Sequence, residues 1–131
     1  MKEKNICIRR ANTSDAADLV KLNDNFNGVG MSIDEVKDSF TLTNELIALA
    51  VIDDLPVGFA CAHYFKSFCY HGLQGEITEL YITEVARKRG LGTLLIAFLE
   101  EELRVLHIYV IEHREDYLIS NNELLVINNA Y

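Results

Sequence analysis

The segment Arg87-Lys-Arg-Gly-Leu-Gly92 narrows the folds open to this chain more than any other. It sets three of the twelve basic residues side by side in a sequence with twenty acidic ones. It also lies between a β-rich stretch, Glu76 to Thr83, and an apolar-periodic helical run, Thr93 to Leu103. Strand, glycine turn and helix in that order bring helix-start amides, which have no partner within the helix, next to glycines that let a large anion approach the main chain. The helix dipole favours negative charge at the same point, so a pyrophosphate fits there. Taken alone, the segment reads equally as a solvated basic turn whose glycines serve backbone geometry. Leu106 to Ile111 reads as a buried strand after the helix, which makes a parallel crossover unit of the three elements.

Upstream, Asn5 to Arg10 alternates as a strand of mixed burial. A helix follows, with capping hydroxyls at Thr13 and Ser14, an acidic first turn at Asp15, and a stripe of Ala16, Leu19, Val20 and Leu22. Phe26-Asn-Gly-Val-Gly30 breaks it. Ser32 and Glu35 form the capping box of a second helix with Ile33, Val36 and Phe40 on its apolar face. Leu46 to Ile52 and Val57 to Phe65 are strand-like runs joined by Asp53-Asp-Leu-Pro-Val57, the turn with the only proline, and read as an antiparallel hairpin. Ser67 to Gly75 is an aromatic loop. No repeat or low-complexity segment occurs.

At 131 residues, 50% hydrophobic and 24% charged, the chain is expected to form one domain, residues 1–131, with a core that needs no disulfide or metal. Apolar stretches end at about seven residues, far short of a membrane span at ~20. The charged start Met-Lys-Glu-Lys-Asn has no apolar signal core, so a cytoplasmic location is expected. A net charge of −8 is unsuited to nucleic acid and favours cationic partners. Cys7, Cys61 and Cys69 lie in apolar runs and read as buried thiols. Cys61-Ala-His63 and Cys69-Tyr-His71 repeat a Cys-x-His spacing, but zinc ligands come in better-defined pairs, so no metal is expected.

The stretch Glu79-Leu-Tyr-Ile-Thr-Glu-Val-Ala-Arg-Lys-Arg-Gly-Leu-Gly-Thr-Leu-Leu95 resembles the acetyl-CoA motif of the GNAT N-acetyltransferase superfamily, (Gln/Arg)-x-x-Gly-x-(Gly/Ala). Arg87, Gly90 and Gly92 match its fixed positions. The element order agrees over about residues 5 to 112. A Walker loop would need Lys before Thr93, a dinucleotide fingerprint a third glycine, and a serine hydrolase a Gly-x-Ser-x-Gly elbow, and none is present. The resemblance implies an α/β (α+β) fold. Its central sheet is mixed and mostly antiparallel, with helices on both faces and a strand-loop-helix acetyl-CoA site.

It further implies acetyl-CoA as cosubstrate, with the pyrophosphate held by amides and side chains of Arg87, Lys88, Arg89, Gly90, Leu91, Gly92 and Thr93. Main-chain groups near Leu80, Tyr81 and Ile82 would hold the pantetheine arm and acetyl carbonyl. The acceptor amine must lose a proton, and Glu76 and Glu79 are the carboxylates placed for it. Glu76 lies, counted back from Arg87, where histone-type acetyltransferases carry their base. Glu79 matches the acidic residue of aminoglycoside 3-N-acetyltransferases, which the chain also resembles in Ile47-Ala-Leu-Ala50. Alternation puts the two on opposite faces unless a bulge intervenes, so one serves, and Glu79 is preferred. Otherwise both are solvated strand carboxylates.

His63, His71, Tyr64 and Tyr70 flank the hairpin and the following loop, where an acceptor would be recognised, and read first as packing residues. After His113 the pattern departs from the family. Neither Tyr117 nor Tyr131 has the spacing of the usual thiolate-protonating tyrosine, and the closing C-terminal hairpin is absent or incomplete. The expected activity is acetyl transfer to a small cationic amine, aminoglycoside or polyamine-like, by direct attack in a ternary complex. The alternative is a truncated, inactive acyl-CoA-binding or protein-interaction module, its open sheet edge completed by a second copy in a homodimer.

Overall fold

The computed structural model describes residues 5–110 and the backbone of 117–120 and 123–126. The alternating N-terminal run forms β1 (Ile6–Arg10), an edge strand antiparallel to β2 (Glu45–Ile52). A short 3-10 turn, Thr13–Asp15, leads into α1 (Ala16–Asn27). The cap is Asn12 rather than Thr13 or Ser14. Its Oδ1 accepts from the Ser14 amide at 2.9 Å while Asp15 Oδ2 accepts from the Asn12 amide at 2.9 Å. Asn, like Ser or Thr, offers a short side-chain acceptor, and its place one residue earlier lets the turn begin sooner. The same Asp15 carboxylate takes a bidentate pair from Arg9 at 2.8 and 2.9 Å, tying β1 to the helix start. That pairing holds Asp15 below the usual carboxylate range against the opposing effect of burial.

Gly28 ends α1 in the left-handed region at φ 69°. Both capping-box bonds of Ser32 and Glu35 open α2 (Ile33–Thr41), each at 3.1 Å. No α2 residue is fully buried. Val36 and Phe40 lean on the sheet, whereas Ile33 is exposed.

β2 and β3 (Leu55–Lys66) are the centre of the sheet. Their turn is shorter than the expected five residues: Asp53 and Asp54 alone make it, at φ 48° and 66°. Two positive φ values match the twist of paired strands, and Asp tolerates that region, so Leu55 and Pro56 remain in the ladder. Pro56 is accommodated next to a register shift opposite Ala50 and Val51.

β4 (Leu73–Ile82) pairs antiparallel with β3 and leads through the 3-10 turn Glu84–Ala86 to α3 (Leu91–Val105). Leu91, Leu95, Leu99 and Leu103 form a fully buried i, i+4 row on α3. They cover a floor of small side chains, Ala48, Ala50, Ala60 and Ala62, which lets the helix sit close to the sheet. α1 and α2 cover the other face over Ile47, Leu49, Phe59 and Cys61.

β5 (Tyr109–Val110) runs parallel to β4, pairing only at Gln74 and Gly75. It is shorter than the expected Leu106 to Ile111. Leu106 and His107 form a turn with His107 at φ 59°, and Ile108 is buried, while Ile111 lies outside the described residues. β6 (Tyr117–Ser120) and β7 (Glu123–Val126) pair with each other in a separate two-stranded sheet. A C-terminal strand pair is thus present, and among the described residues it has no ladder to the main sheet. The five-stranded sheet has the order β1-β2-β3-β4-β5, antiparallel except for its last pair, with helices on both faces.

Candidate functional site

The decisive local feature is a bulge in β4. Cys61 faces Glu79 in the β3–β4 register and Ala62 faces Ile77, which leaves Thr78 as an extra residue. The bulge is the exception to alternation named above, and it puts the two glutamates on one face. Glu79 sits across from Cys61 and Glu76 across from His63, all on the α1/α2 side, while Ile77, Leu80 and Ile82 turn to the α3 core.

Glu79 lines a cavity of about 410 Å³ between α1, α2 and the sheet, within the size range of small-molecule sites. Glu76 does not line it. Thr78 Oγ1 donates to Glu79 Oε1 at 2.8 Å and so fixes the carboxylate. A second carboxylate, Glu45 at the start of β2, also lines the cavity and is 13% exposed. Its Oε2 lies 3.2 Å from His63 Nε2, which is 4.0 Å from Glu79 Oε1. Burial pushes the Glu45 carboxyl up, but the His63 hydrogen bond and charge outweigh it, with help from Ser39 and Cys61, and leave it below its ordinary value. His63 is raised, first by its bond to Glu45 and then by the charges of Glu45, Glu79 and Glu76, against the effect of burial. Burial pushes the Cys61 thiol well up, and the two neighbouring carboxylates push the same way. Cys61 is the one buried cysteine, for Cys7 and Cys69 are exposed.

Glu45 is the site residue that the sequence reading missed. The available signal was an acidic residue opening an apolar strand, but its partner His63 is set by hairpin register. The two Cys-x-His pairs do not form a cluster. Among the described residues, the group able to hold a metal ion is Glu45, His63 and Glu79, whose ligand atoms lie within 4.8 Å of one another.

The remaining cavity wall is mostly apolar, with Asn23, Asn27 and Ser39 as polar members, and Phe26 and Phe59 belong to an aromatic cluster. Phe26 meets Phe59 edge-on at 5.8 Å, and Tyr81 completes the trio at 5.8 and 6.1 Å. Tyr81 therefore faces the α1 side, and the Arg87 guanidinium lies 5.9 Å from the centre of its ring. Leu80 and Ile82 are buried at 3% exposure, so only their main-chain groups can meet a ligand. The Ile82 carbonyl accepts from Arg87 Nε at 2.9 Å. This commits part of the Arg87 side chain to tying the loop to the strand end.

The basic loop is exposed at Arg87, Lys88 and Arg89. Lys88 and Gly90 are both left-handed, at φ 67° and 74°, and nothing lies within 4 Å of where a Gly90 side chain would start. The first α3 hydrogen bond runs from the Leu94 amide to the Gly90 carbonyl, so the amides of Leu91 and Thr93 have no carbonyl to meet within the helix. The Leu91 side chain is fully buried, whereas Thr93 is exposed. Helix-start amides beside three exposed basic residues are the kind of arrangement that suits an anion. Among the described residues, β5 pairs with β4 at Gln74 and Gly75.

A family model described as acetyltransferase (GNAT) family matches residues 19–120. The chain belongs to the GNAT acetyltransferase family. Members of this family use acetyl-CoA. The fold recurs in solved structures. The ribosomal-protein-alanine N-acetyltransferase of Brucella melitensis biovar Abortus is 15% identical with a TM-score of 0.70, over 84% of this chain and 82% of that one. An aminoglycoside acetyltransferase from an uncultured soil metagenomic sample is 19% identical with a TM-score of 0.71, over 82% and 78%. The aminoglycoside N-acetyltransferase AAC(6')-Iy, solved with CoA, is 16% identical with a TM-score of 0.69, over 88% and 82%. No curated protein sequence matches. No helix of the described residues of this GNAT protein is long and apolar enough to cross a membrane. The side chain of Tyr117 and all of Tyr131, the candidates for the thiolate-protonating role, lie outside the described residues.

Proposed function

We propose that the protein acetylates a primary amine of a small cationic acceptor, with Glu79 as general base and the Arg87–Thr93 loop as the pyrophosphate site. The observation that carries this reading is the pair of carboxylates, Glu79 and Glu45, in the lining of a cavity whose other walls are mostly apolar, with Asn23, Asn27 and Ser39 as further polar members. An ammonium entering there meets two negative charges, and Glu79, held by Thr78, is oriented to take its proton. The neutral amine then attacks directly. Acetyl-CoA supplies the acetyl thioester. The amides at the start of α3 and the cations of the loop hold its diphosphate end, and main-chain groups of β4 near Leu80 to Ile82 meet the pantetheine arm.

Aminoglycosides and polyamines are the acceptor classes supported first. Two carboxylates suit more than one positive charge, and the C–H faces of an aminosugar or the methylenes of a polyamine lie well against Phe26 and Phe59. The acidic protein as a whole attracts such cations. Calorimetry with CoA tests the cofactor half of the reading, and absence of binding at millimolar CoA defeats it. An acetyl-transfer screen over sisomicin, spermidine, amino acids and basic peptides tests the acceptor half, and a preference for neutral or anionic acceptors defeats that. The separate β6–β7 sheet favours one other reading, an inactive acyl-CoA-binding module completed by a second copy. Turnover of any amine in the screen excludes it, and sedimentation as a monomer argues against the second copy.

A further inference from the structure

Acetylation of an ammonium forms one N–C bond, breaks one C–S bond and takes two protons from nitrogen. One proton ends on the departing sulfur and the other must reach water. The base proposed for this reaction, Glu79, lines the cavity and is 36% exposed without an acceptor, and an acceptor bound in the cavity covers that opening, so the second proton needs a way out. His63 is placed to provide it. It is not part of the cavity lining, and its side chain is 44% exposed. Its Nε2 nonetheless reaches Glu45 Oε2 at 3.2 Å and Glu79 Oε1 at 4.0 Å. The imidazole thus joins the two cavity carboxylates to solvent.

We propose that His63 is the proton exit of this site: it receives the proton that Glu79 takes from the ammonium and releases it to water, with Glu45 holding the ring. The inference rests on the reading of Glu79 as base. At 4.0 Å the transfer from Glu79 runs through one bridging water or a small side-chain rotation, since direct hydrogen bonds are shorter. The charged groups facing the ring are Glu45 from β2 and Glu76 and Glu79 from β4, with the Cys61 thiol two residues away on β3. All three carboxylates favour the imidazolium that forms in transit. His63 acts through Glu79 and does not itself touch the acceptor. A purely structural Glu45–His63 ion pair would hold β2 to β3 and leave the pH profile of turnover untouched.

The test is the pH profile of kcat for acetyl transfer to spermidine and to sisomicin, in wild type, His63→Gln and His63→Ala, with and without added imidazole. His63→Ala is expected to lose roughly tenfold or more of kcat at neutral pH while calorimetric CoA affinity holds. Imidazole restores part of the loss, and the rise of kcat as the wild-type ring deprotonates disappears in His63→Gln. A His63→Gln profile that overlays the wild type overturns the proposal, as does a His63→Ala loss that imidazole leaves unchanged. Wild type that binds CoA but acetylates neither amine counts against the acceptor assignment instead. His63 is then judged by nitrogen NMR titration, and a ring that is indifferent to both Glu45→Gln and Glu79→Gln overturns its role.

Discussion

Glu79→Gln separates proton acceptance from shape at this site. Glutamine keeps the length of the side chain and an oxygen able to accept from Thr78 Oγ1, now at 2.8 Å from Glu79 Oε1, so the cavity wall is expected to persist. What it loses is the capacity to take the ammonium proton. Loss of a positioned base costs about 10² to 10⁴ in rate, or roughly 2.7 to 5.4 kcal/mol at 1.36 kcal/mol per factor of ten. Glu45, whose carboxylate is within 4.8 Å of the same point, can substitute in part. The single variant should therefore sit near the lower end, about 10². Glu45→Gln removes a charge that attracts the ammonium and the partner that holds His63, so it should raise the acceptor KM and also lower kcat, though by less than Glu79→Gln. The double variant should lose more than either, with effects that do not add because the two carboxylates serve one proton. Stopped spectrophotometric release of free thiol, with CoA affinity measured in parallel, reads both parameters. Glu79→Gln with wild-type kcat and an intact fold would refute the assignment of the base. Glu76→Gln, whose carboxylate does not line the cavity, should lose less than about tenfold.

Three further outcomes follow from the geometry. Gly90→Glu should weaken CoA binding at least about tenfold by setting a carboxylate at the proposed pyrophosphate site, whereas Gly90→Ala, which carries the same φ 74° strain without the charge, should weaken it less. Leu99→Ala, at 1% exposure above the alanine floor, should cost about 2 to 5 kcal/mol and lower Tm by roughly 10 °C, read by calorimetric melting. The Glu45–His63 pair should stabilise the fold in a defined window. His63 is raised, so its contribution is complete below 6.5 and lost as pH rises through its folded value, while Glu45 is lowered, so its contribution is present above 4.5 and lost as pH falls through its folded value. The Tm difference between wild type and Glu45→Gln should then be largest between 4.5 and 6.5, and a difference flat from about pH 3 to pH 9 would contradict the pairing.

Elements written in local sequence were readable before any coordinates. The Ser32–Glu35 capping box, the leucine row of α3 and the strand-loop-helix around Gly90 each depend on residues within a few positions of one another. The family follows from the same local pattern, and residues 19–120 match it. Features set by pairing over long separations were not readable. Glu45 belongs to the site only because the β2–β3 register places it against His63, eighteen residues on. The two-residue Asp53–Asp54 turn depended on whether Pro56 could stay in the ladder, which the neighbouring register shift permits. Cys7 and Cys69 lie in apolar surroundings in sequence yet are exposed, because β1 is an edge strand and the segment after β3 runs over the surface.

The extra residue at Thr78 changes what spacing means in this chain. Between Glu79 and Glu76, distance along the sequence and direction in space are decoupled by one unit of strand parity, so the shift affects every residue counted back from Arg87 past Thr78. An ungapped comparison that counts back from Arg87 therefore assigns a correct residue number to a side of the sheet that β4 no longer presents there. A chain related to this one could lose Thr78, and with it the hydroxyl that holds Glu79, yet keep both carboxylates and turn Glu76 toward the opposite layer. Insertion and deletion within β4, rather than substitution, are thus a route by which relatives could exchange one glutamate for another as the group that meets the acceptor.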